Sequence, residues 1–154
     1  MGAFTKLTYH IVFSTKYRRP SLRREFRDRL YEYLGGIVRR LHGHLIEVGG
    51  VEDHLHLLVA LPPTITLSDA IRDIKAGASK WVNELPEMSS RFEWQKGYAA
   101  FTVSYSQLES LRKYIQGQAE HHHQQTFEEE YRLFLKRHEI EFDPRFLFEG
   151  EYDG

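Results

Sequence analysis

The chain has 154 residues, 41% of them hydrophobic, and no cysteine. That length predicts one domain with its own core. The missing cysteine excludes a disulfide scaffold, thiolate metal sites and a cysteine nucleophile. The net charge of −1 hides a split: residues 1–40 carry 10 Lys/Arg against 3 Asp/Glu, net +7, and residues 41–154 carry 11 against 19, net −8. This asymmetry fits a basic face for an anionic partner, and equally two solvated faces of opposite sign. No apolar run approaches a membrane span and no secretory signal precedes the first strand, so no membrane association and a cytoplasmic setting are expected.

Residues 4–15 read as a strand, with Leu7, Tyr9, Ile11 and Phe13 alternating against Lys6, Thr8, His10 and Val12. After a basic loop at 16–20, Ser21 is a candidate cap for a helix with the apolar stripe Leu22, Phe26, Leu30, Leu34, Ile37, Val38 and Leu41. Gly35-Gly36 in that helix costs propensity but suggests close packing, and Gly43 is its expected stop. Residues 44–48 and 54–61 read as two strands joined by a hairpin-like connection, the second stopped by Pro62-Pro63. A helix is predicted over 67–85. Short strands at 92–94 and 98–105 flank a turn at Gln95-Lys96-Gly97. Ser106-Gln107-Leu108-Glu109 has the form of a capping box opening a helix to about Gln124, and Thr126-Phe127-Glu128-Glu129 a second one opening a helix to about His138.

The order β-α-β-β-α-β-α predicts an α+β, ferredoxin-like (RRM-like) antiparallel sheet with helices packed on one face and the first and third strands central. The expected organisation is a domain over 1–138 followed by a C-terminal arm or tail over 139–154.

His54-Leu55-His56 is the first candidate for chemistry. Residues i and i+2 of a strand share a face, so two imidazoles project side by side while Leu55 joins Leu57, Val59 and Leu61 in the core. The pair could begin a divalent-metal site, or could be two half-exposed histidines on an open sheet face. Tyr114 and Gln118, four apart, share a face of the penultimate helix. Gly117 between them costs about 1 kcal/mol relative to alanine, which implies close approach of another group or needed pliability. His121-His122-His123 suits the negative end of the same helix. Lys16, Arg18, Arg19 and Arg23, with Tyr17 among them, make a reasonable contact surface for phosphates or a single strand.

Four blocks in this order resemble a known family: Tyr9–Pro20, Gly50–Val59, Ile71–Lys75 with Ser79-Lys80-Trp81, and Tyr114-Ile115-x-x-Gln118. Together they are similar to the single-tyrosine (Y1) transposases of the IS200/IS605 group and their relatives associated with repetitive extragenic palindromes. The resemblance covers residues from about 4 to about 140. It implies an HUH nuclease, in which His54, His56 and Gln118 bind Mg²⁺ or Mn²⁺ and Tyr114 is the nucleophile. It also implies action on single-stranded DNA with hairpins at element ends, and a homodimer whose active sites take histidines from one subunit and the tyrosine helix from the other. Attack by Tyr114 would give a 5′-phosphotyrosine and a free 3′-OH. Many relatives carry asparagine where this chain has Gly117. Two other classes fit parts of the pattern. A non-catalytic nucleic-acid-binding module on the same fold would place stacking aromatics on the sheet face. A small metallohydrolase would need Glu52 or Asp53 as a base and leaves Tyr114 without a role.

Overall fold

The computed structural model describes residues 2–118, 125–144 and 147, so His121-His122-His123 lies outside the described residues. Four antiparallel strands, β1 (Thr8–Ser14), β2 (His44–Gly50), β3 (His54–Ala60) and β4 (Ala99–Thr102), form one sheet in the order β2-β3-β1-β4. This is the ferredoxin-like topology, with β1 and β3 central. β1 and β3 pair from Thr8↔Ala60 to Ser14↔His54. The first strand starts later than expected: beyond Thr8↔Ala60 the pairing continues only through the Leu61 N–H donating to the Leu7 carbonyl at 3.0 Å, and Pro62-Pro63 then removes the next donors. Phe4 is fully exposed.

Side-chain parity divides the sheet into two faces. Ile11, Phe13, Leu55, Leu57 and Val59 point into the main core, beneath α1 (Arg24–Arg40) and α2 (Leu67–Asn83). The opposite face carries His10, Val12, His54 and His56. It is covered by α4 (Phe127–Arg137), which packs Phe127 and Leu135 on Val12, Ala99 and Phe101. Phe142 and Leu147, from the expected arm, pack against the same cluster. The two helices inside the β-α-β repeats thus share one face as expected, and the helix after them takes the other.

Several local expectations change. α1 starts at Arg24 with no side-chain cap from Ser21. At its end the left-handed residue is His42 (φ 63), and the Gly43 N–H closes back on the Val38 carbonyl at 2.9 Å. Close packing of α1 on α2 rests on Gly77, where a Cβ would lie 2.7 Å from Ile37, and the Gly35-Gly36 pair is not what brings the helices together. The segment 92–94 makes only a bridge, Thr15 with Trp94, and the strand expected over 98–105 shortens to β4, which pairs with Tyr9–Val12 alone. Lys75 ties the turn after 94 to α2 by donating to the carbonyls of Gln95 (2.8 Å) and Gly97 (2.9 Å).

α3 (Leu108–Gln116) follows a 3₁₀ turn at Tyr105–Gln107, so Ser106 does not cap it. It ends at Gln116 with Gly117 as its C-cap, Gln118 is helical again beyond that break, and the rest of the stretch to the predicted Gln124 lies outside the described residues. Tyr114 and Gln118 therefore do not share one unbroken helix. α3 sits on β2: Gln116 Nε2 donates to Glu47 at 2.8 Å, Arg112 pairs with Glu47 at 3.7 Å, and the Ile115 carbonyl rests on Gly49. A Cβ at Gly49 would overlap that carbonyl oxygen outright. Gly49→Ala should therefore lower stability by about 2 kcal/mol or more through forced displacement of α3. At Gly36 the nearest atom to an added Cβ is the Arg39 guanidinium at 3.8 Å, so Gly36→Ala should stabilise by about 0.5–1 kcal/mol. Urea melts of the two variants check the opposite signs; equal effects would contradict this account of α3 docking.

Candidate active site

β3 sends His54 and His56 to the same side, their ring centroids 5.2 Å apart. The face is not open. Both residues are buried, His54 at 2% and His56 at 0% exposure, beneath Phe127 and Phe134 of α4. Each imidazole is held from behind through Nδ1: His54 by Asp53 Oδ1 at 2.8 Å, and His56 by His10 Nε2 at 2.9 Å. The Nε2 atoms therefore face the same space. There His54 Nε2 meets Gln118 Oε1 at 3.0 Å, and His56 Nε2 meets Glu130 Oε1 at 2.8 Å. The same Glu130 oxygen lies 3.4 Å from His54 Nε2. The other Glu130 oxygen accepts a hydrogen bond from the Tyr114 hydroxyl, and the Tyr114 ring stands edge-on to His56 at 5.9 Å.

The structure thus joins four expected residues, Tyr114, His54, His56 and Gln118, within one chain. It adds Glu130, which sequence reasoning missed. One signal marked Glu130: it falls three residues after Phe127 and four before Phe134, an acid on the apolar stripe of α4. Asp53, considered as a hydrolase base, instead sits behind His54. The basic residues scatter. Lys16 pairs with Glu93 (3.2 Å) and Arg18 with Glu128 of α4 (3.5 Å), while Arg19 lies over Tyr17 at 5.0 Å. Arg23 borders a groove of about 890 Å³ that it shares with Gln116 and Gln118. Gln118 Nε2 is buried with no partner among the described residues.

Electrostatics follow from burial and pairing. Burial opposes a charged His54, but hydrogen bonds to Asp53 and Glu130 outweigh it and raise its pKa to about 9. Burial and then the neighbouring His56 push His10 down to about 3. Burial, followed by the Glu130 carboxylate, drives the Tyr114 hydroxyl well above the ordinary phenol range. Burial disfavours ionised Glu130, yet the bonds from His54 and His56 hold its carboxyl far below the usual carboxylate value.

A ferredoxin-like sheet with a histidine pair and a carboxylate buried on its non-core face, beside a half-buried tyrosine, narrows the class, and comparison with known proteins fixes the family. The family model described as "Transposase IS200 like" matches residues 3–118. The ISDra2 transposase TnpA of Deinococcus radiodurans is 28% identical over 122 residues, 76% of this chain and 87% of that protein. The transposase for insertion sequence element IS200 of Salmonella typhimurium is 29% identical over 121 residues, 73% of this chain and 76% of that protein. A crystal structure from Deinococcus radiodurans R1, described as a candidate transposase, matches with a TM-score of 0.59 at 26% identity, over 77% of this chain and 95% of that one. A REP-associated tyrosine transposase bound to a REP hairpin shares the fold, with a TM-score of 0.55 at 17% identity over 75% of this chain and 68% of that one. The chain belongs to the IS200-like transposase family. Among the described residues no helix is long and apolar enough to cross a membrane.

The His54 pairing has a pH consequence with a definite sign. A pKa raised from 6.5 to about 9 stabilises the fold fully below 6.5, and the stabilisation is lost as pH rises through 9. Between about pH 6 and pH 8 the His54 pairing alone should cost the metal-free protein on the order of 2 kcal/mol. His10, held down at about 3 by burial, offsets roughly 1 kcal/mol of it as the unfolded imidazole loses its proton, leaving a net loss of about 1 kcal/mol. Lys75, lowered by burial to about 8, acts with the opposite sign and only above this window. Thermal melts should show Tm falling over the interval, with the fall flattened in His54→Asn. A flat wild-type profile would contradict the charged pairing of His54.

Proposed function

We propose that the chain is a metal-dependent single-strand DNA endonuclease and strand transferase with Tyr114 as its nucleophile. The observation that carries this reading is the division of the Glu130 carboxylate, one oxygen on the histidine pair and the other on the Tyr114 hydroxyl. A hydroxyl positioned beside a paired carboxylate and a potential cation site is what in-line attack on a phosphodiester requires.

The donors suit a hard divalent ion. One ligand atom from each of His54, His56 and Glu130 lies within 4.8 Å of the others, and Gln118 Oε1 adjoins them. Two nitrogens with two oxygens fit Mg²⁺ or Mn²⁺. When bound, such an ion supplies Lewis-acid polarisation of the scissile phosphate. The chain's own groups do the rest. The Tyr114 oxygen attacks phosphorus while its proton leaves along the hydrogen bond to Glu130 and on to the departing oxygen or solvent; the new bond is Tyr114 O–P, and the bond broken is P–O3′. The departing oxygen takes up a proton as a free 3′-OH, and the 5′ side stays on Tyr114 as a phosphotyrosine. That ester keeps the bond energy for a later 3′-OH to reverse the step, so transposition of an IS200/IS605-type element needs no nucleotide cofactor. Gln118 Nε2, unpartnered among the described residues, is proposed as a donor to the scissile phosphate.

The substrate proposed is single-stranded DNA bearing hairpins at element ends, in line with the REP hairpin bound by the structural relative. Lys16, Arg18, Arg19 and Arg23 are proposed as phosphate contacts; Arg23 borders the groove that ends at Gln118. The non-catalytic module has less support: Phe101, on the face it would use, is 4% exposed and stacked under His138. A cytoplasmic homodimer is proposed on the family resemblance, with Gly117 and the 3₁₀ turn before α3 as pivots for exchanging Tyr114 between subunits.

The test is a covalent adduct with oligonucleotides from the flanks of the chain's own gene. Wild-type protein should form a Mg²⁺-dependent adduct that maps to Tyr114. Tyr114→Phe should form none while still binding hairpins, and Glu130→Gln should slow cleavage by about 10²–10⁴-fold. An adduct on another tyrosine would overturn the assignment. Mixing His56→Ala with Tyr114→Phe subunits decides how sites are shared. Regained cleavage supports exchange, and its absence leaves the single-chain arrangement described above.

A further inference from the structure

We infer that His10 is a positioning residue for the metal site: it accepts the Nδ1–H of His56 and so keeps the His56 Nε2 lone pair directed at the ion. The inference rests on the metal-site reading and extends it to a strand outside the HUH motif.

An imidazole that binds a cation through Nε2 must carry its proton on Nδ1, and that N–H needs an acceptor that fixes tautomer and ring orientation. For His54 the acceptor is plain: the Asp53 carboxylate at 2.8 Å. For His56 the atom in the equivalent place is Nε2 of His10, at 2.9 Å. The two rings are nearly parallel, 19° apart with centroids at 5.1 Å. The β1–β3 register sets this contact. Val12 stands opposite His56, so His10 is its diagonal neighbour on the same face.

The surroundings of His10 do not otherwise call for an imidazole. Phe134 meets it edge-on at 5.0 Å and Phe101 at 5.9 Å, and the residue is 2% exposed. An aromatic hydrocarbon would fill that space without burying polar atoms. What the imidazole adds is a ring nitrogen at His56 Nδ1. To accept there, His10 must hold its own proton on Nδ1. A cavity of about 460 Å³, lined by His10 with Ser104 and Gln107, has room for a water to receive it.

Two measurements on the full-length chain test this. In ¹⁵N-histidine protein saturated with Mg²⁺, the His56 proton should reside on Nδ1 and show ¹⁵N–¹⁵N coupling across the hydrogen bond to His10 Nε2; without the ion, His56 Nε2 faces the acceptor-only Glu130 carboxylate at 2.8 Å and donates there. In the Mg²⁺-bound protein, a proton on His10 Nε2 with His56 Nδ1 accepting would overturn the proposal whatever the variants do. Calorimetric titration with Mn²⁺ gives the second readout. His10→Phe keeps the packing and removes the acceptor, and should weaken binding by about 10–100-fold. His10→Gln places an amide oxygen near the lost nitrogen and should stay within about threefold of wild type. Unchanged affinity in His10→Phe, or equal losses in both variants, would also overturn it. A wild-type chain that binds no Mn²⁺ but shows the coupling would sink the metal reading and leave the His10 contact standing.

Discussion

A carboxylate buried to 5% exposure must be paired, because an isolated charge there would cost several kcal/mol. Glu130 meets that constraint with three side chains: His56, His54 and Tyr114. The rest of the site is arranged around this pairing. β3 sets the two imidazoles on one face by its period of two. Gly49 lets α3 lie close enough on β2 for Tyr114 to reach inward. The apolar stripe of α4 docks on Val12, Ala99 and Phe101 and carries Glu130 under it. Removing any one of these elements leaves a buried charge unpaired, so the helices and the chemistry are coupled.

The two sheet faces divide the labour. One is sealed by α1 and α2 around a hydrocarbon core. The other is lined by histidines, and its covering helix brings an acid as well as phenylalanines. The family match ends at residue 118, so the carboxylate that closes the site comes from sequence beyond it. His54 and Gln118 meet inside the matched region and Glu130 from outside it, placing two oxygen donors around the same pair of nitrogens.

Much of this was legible in the sequence where one element decides the outcome. The alternation through His54–Leu61 gave the common face of the two histidines and the inward Leu55, Leu57 and Val59. The element order gave the sheet topology with β1 and β3 central. The Thr126 box formed, with its hydroxyl accepting from the Glu129 N–H at 3.2 Å. The Ser106 box did not, because a 3₁₀ turn precedes α3. Contacts between distant elements were less legible. Glu130 lies 74 residues from His56, and in the sequence it looks like one more acid complementing a helix N-terminus. His10 reads as a polar residue on the outer face of β1 until the register with β3 places it beside His56. Gly117 was visible as an anomaly, but only the fold shows that it ends α3.

The central claim is that His54, His56 and the oxygens of Gln118 and Glu130 converge on one cation beside Tyr114. Anomalous diffraction from crystals soaked in Mn²⁺ tests it most directly. A single anomalous peak at coordination distance from both Nε2 atoms, with Glu130 or Gln118 oxygen in its shell, is the expected result. A peak elsewhere on the chain, with the His54 and His56 Nε2 atoms still on their protein partners at saturating Mn²⁺, would contradict the account.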